Sequence, residues 1–242
     1  MTFKSAKGND GPSAMAPVIL ALEASGDLLA AAVWVDGAVQ NHQAHLARHG
    51  HAAHIATLVV QVMKMAGIEF ADITHVAAGR GPGSFSGIRV ALAAAKGFCL
   101  ATGAVGMGVN SLAALAAHCN HGVSVLASAE TRRGPCYAQF FDPVGTALTP
   151  TFETAPADIV ASLPAGLSEL VIAGWQADEL AAGLMAAGSD ILVGAVHAKA
   201  RVDATHIACC AAASINAGHS GEAMTPIYLA PAFLGPAKQV RK

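Results

Sequence analysis

Hydrophobic and polar positions follow two rhythms along the chain. Residues 18–23 (VILALE) and 28–35 (LLAAAVWV) are short apolar runs bounded by turn residues, the pattern of buried strands. Ala24-Ser25-Gly26-Asp27 joins them, and Asp36-Gly37 predicts a tight hairpin into a third strand over 38–43. The period then lengthens. Across 51–66, Ile55, Leu58, Val59, Val62 and Ala66 fall on one helical stripe, and Gly67 ends the run. A second apolar stripe, Ala52, Ala56, Val60 and Met63, lies about 120° away, leaving His54, Thr57, Gln61 and Lys64 as the polar face. A core-facing helix needs little more than ~100° of apolar surface, and this one has roughly twice that. Such a helix is either buried between two layers of its own fold or offers its second stripe to another molecule. Residues 73–79 read as a strand, 84–101 as a helix, 105–108 as a strand and 111–118 as a helix with Ser111 at its N-cap. On the helix over 84–101, Arg89 and Lys96 share a narrow face among alanines, where small side chains let a second helix come close.

The second half is less regular. Strands are predicted over 123–129, 137–141 and 170–174, with Arg132-Arg133-Gly134-Pro135 as a turn and helices over 178–187 and 204–217. A hairpin followed by alternating strand and helix implies an α/β layer with a mixed sheet. The order β-β-β-α-β-α-β-α fits the ribonuclease-H-like lobe of the actin-like ATPase fold, with a second, weaker copy after residue 122. The expected organisation is a disordered tail over 1–16, an N-terminal lobe over 17–122 and a smaller C-terminal lobe over 123–242.

Composition narrows the function. The 242 residues are 54% hydrophobic and 12% charged, so much of the surface must be apolar and a partner is expected to cover some of it. A net charge of −2, from 14 basic and 16 acidic residues, supplies no field that gathers nucleic acid. Five cysteines without a C-x-x-C pair suit reduced, packed thiols and a cytoplasmic location. The apolar run over 18–35 is interrupted by Glu23, Gly26 and Asp27, so neither a signal peptide nor a membrane span is expected there.

Four candidate chemistries deserve weighing. Gly81-Pro82-Gly83-Ser84-Phe85-Ser86-Gly87 invites a phosphate cradle, but it lacks the Walker lysine and departs from G-x-G-x-x-G, and Pro82 removes an N–H donor. A tight strand-to-helix turn, with Ser84 or Ser86 capping the helix, is the better reading. His45, His49, His51 and His54 cluster within ten residues, but no H-E-x-x-H and no carboxylate lies near, so exposed polar positions are expected and no metal. Glu23 ends the first strand, where superfamily nucleotide hydrolases hold a metal; a solvated turn is the favoured reading. Arg132 and Arg133 are read as solvated on a hairpin tip.

The stretch ITHVAAGRGPGSFSGIRVALAAAKGFCLATGAVGMGVNSLAALA, residues 73–116, resembles the bacterial TsaB (YeaZ) family of tRNA threonylcarbamoyladenosine biosynthesis proteins, a Gcp-like group homologous to M22 peptidases. The family pattern G-R-G-P-G-S-F-T-G-[VI]-R is matched from Gly79 to Arg89, with Ser86 for threonine. ILALEAS (19–25), AGWQA (173–177) and TPIYLA (225–230) echo further family stretches, while Glu23-Ala24 and Ala230 depart from them. The larger paralogue TsaD carries G-V-N-H-x-x-x-H; here GVNSLAAL puts Ser111 and Leu115 at the two histidine places, which implies no metal and no cofactor. The resemblance implies a non-catalytic subunit that binds and supports a TsaD-like transferase, works beside a TsaE-like ATPase, and meets tRNA only through that complex. It also implies a homodimer in isolation. Docking is expected through the helices over 51–66 and 84–101, using Ala52, Ala56, Val60, Met63, Ser84, Phe85, Arg89, Ala93 and Lys96. Gly81, Pro82, Gly83 and Gly87 then form the turn that seats the second helix. The rival reading is a stand-alone ATP-dependent enzyme of the actin-like superfamily, or an M22-type glycoprotease homologue.

Overall fold

The computed structural model describes residues 16–46 and 50–229. The first sheet begins as the hairpin pattern predicts, with β1 (Val18–Glu23), β2 (Leu28–Val35) and β3 (Ala38–Leu46) antiparallel in turn. Two crossovers follow. Helix α1 (His51–Ala66) leads to β4 (His75–Gly79), and α2 (Phe85–Thr102) leads to β5 (Val105–Val109). β4 lies parallel to β1, with Leu20 opposite Val76, and β5 parallel to β4, giving the order β3-β2-β1-β4-β5.

Helix α3 (Ser111–Cys119) then crosses to a second sheet, formed by β6 (Ser124–Glu130), β7 (Cys136–Phe141), β8 (Phe152–Thr154), β9 (Glu169–Gly174) and β10 (Leu192–His197). Its order, read from β8, is β8-β7-β6-β9-β10, with β7 antiparallel to β6 and β9 and β10 parallel. Each sheet therefore runs third-second-first-fourth-fifth strand. The second copy expected after residue 122 is present, complete with β8 and β10, which the apolar pattern did not mark. Helices α4 (Ala177–Ala186) and α5 (Ala204–Asn216) complete the set.

The central strands of the first sheet, β1, β2 and β4, are buried on both faces, and the apolar clusters show why. Leu20, Leu22, Leu29, Val33, Val76 and Ala78 pack under the inner sides of α1 and α2. Ile19, Ala21, Ala30, Ala32 and Ala77 pack on the opposite face against Ile207, Ala208 and Ala211 of α5. Leu112, Leu115 and Ala116 of α3 cover one face of the second sheet, and Leu180 and Leu184 of α4 cover the other. The layers are α1–α2, first sheet, α5–α3, second sheet, α4. Thus α5 follows the second sheet in sequence yet packs on the first. α1 and α2 form an outermost layer, and among the described residues no further helix or strand covers their outer faces.

Candidate partner interface

The glycine loop is held by the end of β1. Glu23 is fully buried (0% exposed), and its carboxyl accepts the Ser25 N–H and the Ser111 hydroxyl, the latter at 2.9 Å. Burial pushes the Glu23 carboxyl above its ordinary range, against the opposing pull of its hydrogen bonds to Ser25 and Ser111. Ser111 Oγ in turn accepts the Gly81 N–H at 3.2 Å, so one hydroxyl ties β1, the loop and α3 together. A Cβ at Gly79 would collide with the Glu23 carboxyl, and one at Gly87 with the Ala24 carbonyl oxygen. The glycines let the loop and the first turn of α2 close over β1. Pro82 is buried here, and Ser84 N–H donates to the Ser25 carbonyl at 2.6 Å beside Gly83. Ser84 caps α2, accepting Gly87 N–H at 3.3 Å.

The start of α3 differs from expectation. Its N-cap is Asn110, whose side-chain oxygen accepts from Leu112 N at 2.9 Å and Ala113 N at 3.3 Å, because Ser111 is drawn away to Glu23. Ser111 and Leu115 are both buried. The places of the paralogue's histidines are thus filled by a committed hydroxyl and a hydrocarbon, and these residues do not fit a metal. Glu23, sealed beneath the loop, has no face toward solvent, in contrast to the solvated turn the sequence suggested. A small cleft between the two sheets is lined by Asp27, Glu130, Trp175 and Arg201, with Arg201 paired to Asp27 at 3.0 Å. Glu130, at the end of β6, was not singled out in the sequence.

The outer face of α1 and α2 is the larger feature. Ile55, Leu58, Val59 and Val62 point to the sheet, while Ala52, Ala56 and Val60 (53% exposed) point away from it. Met63 is a correction: it is 1% exposed and belongs to the core, one turn beyond Val59 on the sheet-facing row. On α2, Ile88, Ala91, Leu92 and Ala95 are buried, and Arg89, Ala93, Lys96 and Leu100 (88% exposed) face outward. Ser84 and Phe85 are half-buried at its start.

A strap over residues 221–229, not foreseen from the sequence, borders this face. It bridges β5 at Gly108–Glu222, and Glu222 pairs with Arg80. Arg80 Nε donates to the Thr225 carbonyl at 2.7 Å, and Ile227 N–H donates to the Arg80 carbonyl at 2.9 Å. Tyr228 arrives beside Phe85, ring centroids 5.1 Å apart, and accepts a hydrogen bond from Arg89 Nε at 2.8 Å. Only the echo TPIYLA hinted at this segment; the side-chain hydrogen bonds that hold it span 139 to 145 residues.

The other candidates disperse. His45 and His54 approach to 5.3 Å between ring centroids, His51 is buried, and His49 lies outside the described residues, as do 1–15 and Ala230. No three metal-ligating side chains converge among the described residues. A separate contact stacks His118 of α3 on His206 of α5 at 3.9 Å, where burial and then the His118 charge hold His206 down at about 4. Arg133 pairs with Glu153 across the hairpin at 3.1 Å.

Two sheets of like order, joined through α3 and α5, define a duplicated ribonuclease-H-like fold of the actin-like class. Residues 42–163 match the family described as TsaD: tRNA N6-adenosine threonylcarbamoyltransferase. The chain belongs to this Gcp-like family and, within it, to the TsaB/YeaZ branch. It is 33% identical over 122 residues to the tRNA threonylcarbamoyladenosine biosynthesis protein TsaB of Escherichia coli, covering 49% of this chain and 52% of that one. It is 40% identical over 67 residues to a tRNA N6-adenosine threonylcarbamoyltransferase of Paramagnetospirillum magneticum, covering 28% of this chain and 19% of that protein. The matches thus span about half or less of these relatives. YeaZ from Pseudomonas aeruginosa shares the fold, with a TM-score of 0.71 at 22% identity over 88% of this chain and 100% of that one.

Proposed function

We infer that this chain is the accessory subunit of a tRNA N6-threonylcarbamoyladenosine synthesis complex. It binds and supports a TsaD-like transferase through the outer face of α1 and α2, a TsaE-like ATPase acts with that pair, and tRNA is engaged by the assembly in the cytoplasm. The observation that carries the reading is the row Ala52, Ala56, Val60 beside Ala93, Lys96 and Leu100, exposed on an outermost helix pair. Small side chains there permit close helix approach, and apolar area of this kind favours being covered. Ser111 and Leu115 support a non-catalytic role, since neither can replace the imidazoles of the paralogue's metal motif. The rival, an ATP-dependent enzyme, has Glu130 and Trp175 at the cleft, but Asp27 there is taken up by Arg201.

The test mixes the purified chain with the TsaD-family transferase of the same organism and measures complex mass. Val60→Glu buries an unpaired charge in such a complex and should cut affinity by orders of magnitude while the chain keeps its cooperative melt. Val62→Glu, on the core stripe, should unfold the chain itself. Threonylcarbamoyl transfer to tRNA should appear only with transferase, ATPase and a threonylcarbamoyl-adenylate source present. ATP turnover by the chain alone, or an intact complex with Val60→Glu, refutes the reading.

A further inference from the structure

The carboxyl ends of β6, β9 and β10 meet at the cleft between the two sheets. These strands lie side by side and parallel, and open α/β sheets take ligands in the crevice beyond such ends. Glu130 ends β6, Trp175 directly follows β9, and Arg201 lies in the connector from β10 to α5. Asp27 comes from the β1–β2 turn, and Leu115 and Val202 add apolar lining. The space is about 140 Å³, the share of about five liquid waters, so only a small molecule fits.

The charges of the lining set the sign of that molecule. Arg201 Nε donates to both Asp27 oxygens, at 3.0 and 3.3 Å, and a terminal nitrogen donates to the Lys199 carbonyl at 3.2 Å. The Glu130 carboxylate has no ion pair or hydrogen bond among the described residues. Two carboxylates thus stand against one guanidinium, which the first of them already neutralises. Of the cations nearby, Arg133 pairs with Glu153, and Arg132 and Lys199 are outside the lining. Helix α4, which opens just beyond Trp175, carries Asp178 and Glu179 in its first turn, and these oppose an anion there.

Trp175 is 41% exposed although its main chain is pinned. Its N–H donates to the Ser128 carbonyl at 3.2 Å, and its carbonyl accepts from the Ser128 hydroxyl at 2.7 Å. The next residue, Gln176, has a left-handed backbone (φ 56°) without being glycine. Its side-chain oxygen is also buried with no hydrogen-bond partner among the described residues. Local costs of this kind gather at ligand sites. Here they place an indole in the same cleft as an unpartnered carboxylate, and the face of an indole attracts a cation.

We propose that the cleft between the sheets binds a small organic cation, a primary ammonium on a short apolar body, held by the Glu130 carboxylate and the Trp175 ring. The ammonium donates to Glu130, and its hydrocarbon lies against the indole, Leu115 and Val202. The Asp27–Arg201 pair closes the cleft to anions by using up its one guanidinium. No residue of α1 or α2 lines the cleft, so the site stands or falls apart from the docking reading above.

The experiment titrates the full chain with propylammonium, 1-propanol, propionate and ATP at matched ionic strength and neutral pH, reading tryptophan emission. The chain has two tryptophans, and Trp34 is buried in the first sheet (6% exposed), so a change in emission belongs to Trp175. Propylammonium should saturate with a Kd of about 1 mM or tighter, and 1-propanol should bind at least about tenfold more weakly. Propionate and ATP should give no saturable change. Glu130→Gln should weaken propylammonium about tenfold or more. Trp175→Phe keeps a ring, so the optical signal should vanish while the ligand still raises Tm. Asp27→Asn releases Arg201 and should let propionate in while weakening propylammonium several-fold. Cooperative melts establish that each variant is folded. The proposal is overturned if propylammonium gives no saturable response, or if Glu130→Gln titrates like wild type. It is overturned equally if ATP or propionate binds the wild-type chain more tightly than propylammonium, which would make the cleft an anion site.

Discussion

Gly87→Ala and Gly97→Ala make the same chemical change on the same helix and should shift stability in opposite directions. A Cβ at Gly87 would stand 1.9 Å from the Ala24 carbonyl oxygen, whereas one at Gly97 would meet nothing within 4 Å. Ordinary contact needs a separation above 3 Å, so the first turn of α2 must lift from β1 by more than an ångström. Beneath it, Ile88 and Ala91 are fully buried, and a gap of ~0.5–1 Å already forfeits a quarter to a half of their dispersion attraction. Overpacking of this kind costs about 1–3 kcal/mol. Against it stands the helical gain of alanine over glycine, at most about 1 kcal/mol and smaller in a first turn. The expected balance at Gly87 is a loss of about 1–2 kcal/mol, or roughly 2–8 °C in Tm for a chain of this size. Gly97→Ala keeps only the gain and should raise Tm by up to about 4 °C. Urea melts followed by circular dichroism would show the midpoints moving apart at constant slope. If Gly87→Ala proves as stable as Gly97→Ala, the close approach of α2 to β1 is not what that glycine provides.

Three further outcomes follow from the described contacts. The raised pKa of Glu23 means the native state keeps a proton that the unfolded chain releases above about pH 4.5. Stability should fall as pH rises, and Glu23→Gln should match wild type near pH 4 and exceed it near pH 8; a neutral-pH loss would show an ionised carboxylate held by Ser25 and Ser111. The His42–Asp203 pair, 2.9 Å apart, works in both directions. Asp203 is pushed up by burial, but its bonds from His42 and Thr205 prevail and hold it down at about 2, so its contribution is lost as pH falls from about 4 toward 2. The bond to Asp203 raises His42, whose contribution is lost as pH climbs through its raised pKa; His42→Ala should flatten that alkaline limb in thermal melts and leave the slope above neutrality unchanged only if the pair is without effect. Asn110→Ala strips the cap from α3 and should lower stability by about 1 kcal/mol, whereas no change would mean Ser111 can take over the cap.

What the sequence made legible was what neighbours in the chain decide. The β1–β2–β3 hairpins follow from short apolar runs and Asp36-Gly37, and α1 from its 3.6-residue period. The last residues of β3 did not show, because Ala44, His45 and Leu46 are exposed at a sheet edge and carry no burial pattern. β8 has three residues and exists through its pairing with β7, and β10 is a half-exposed edge strand interrupted by Gly194. The same limit governs the site. The outward row of α1 could be read from helical angles, yet Met63 lay on the boundary of the stripe and packs inward. Ser111's bond to Glu23 spans 88 residues, and Arg89's to Tyr228 spans 139, so no local signal could announce either.

The strap and α5 also set an order of events during synthesis. β1 to β5 are complete by residue 109, but one face of that sheet waits for α5 at 204–216, and the Phe85–Arg89 pair waits for Tyr228. At ~5–20 residues per second, more than 100 residues must still emerge before that lobe can close. Until then Ile19, Ala21 and Ala77 lack the cover that α5 gives them, and the unfinished lobe carries an apolar face. Nascent chains stalled before residue 228 should therefore be more protease-sensitive than the finished chain, and the step in resistance should fall where α5 and the strap have emerged.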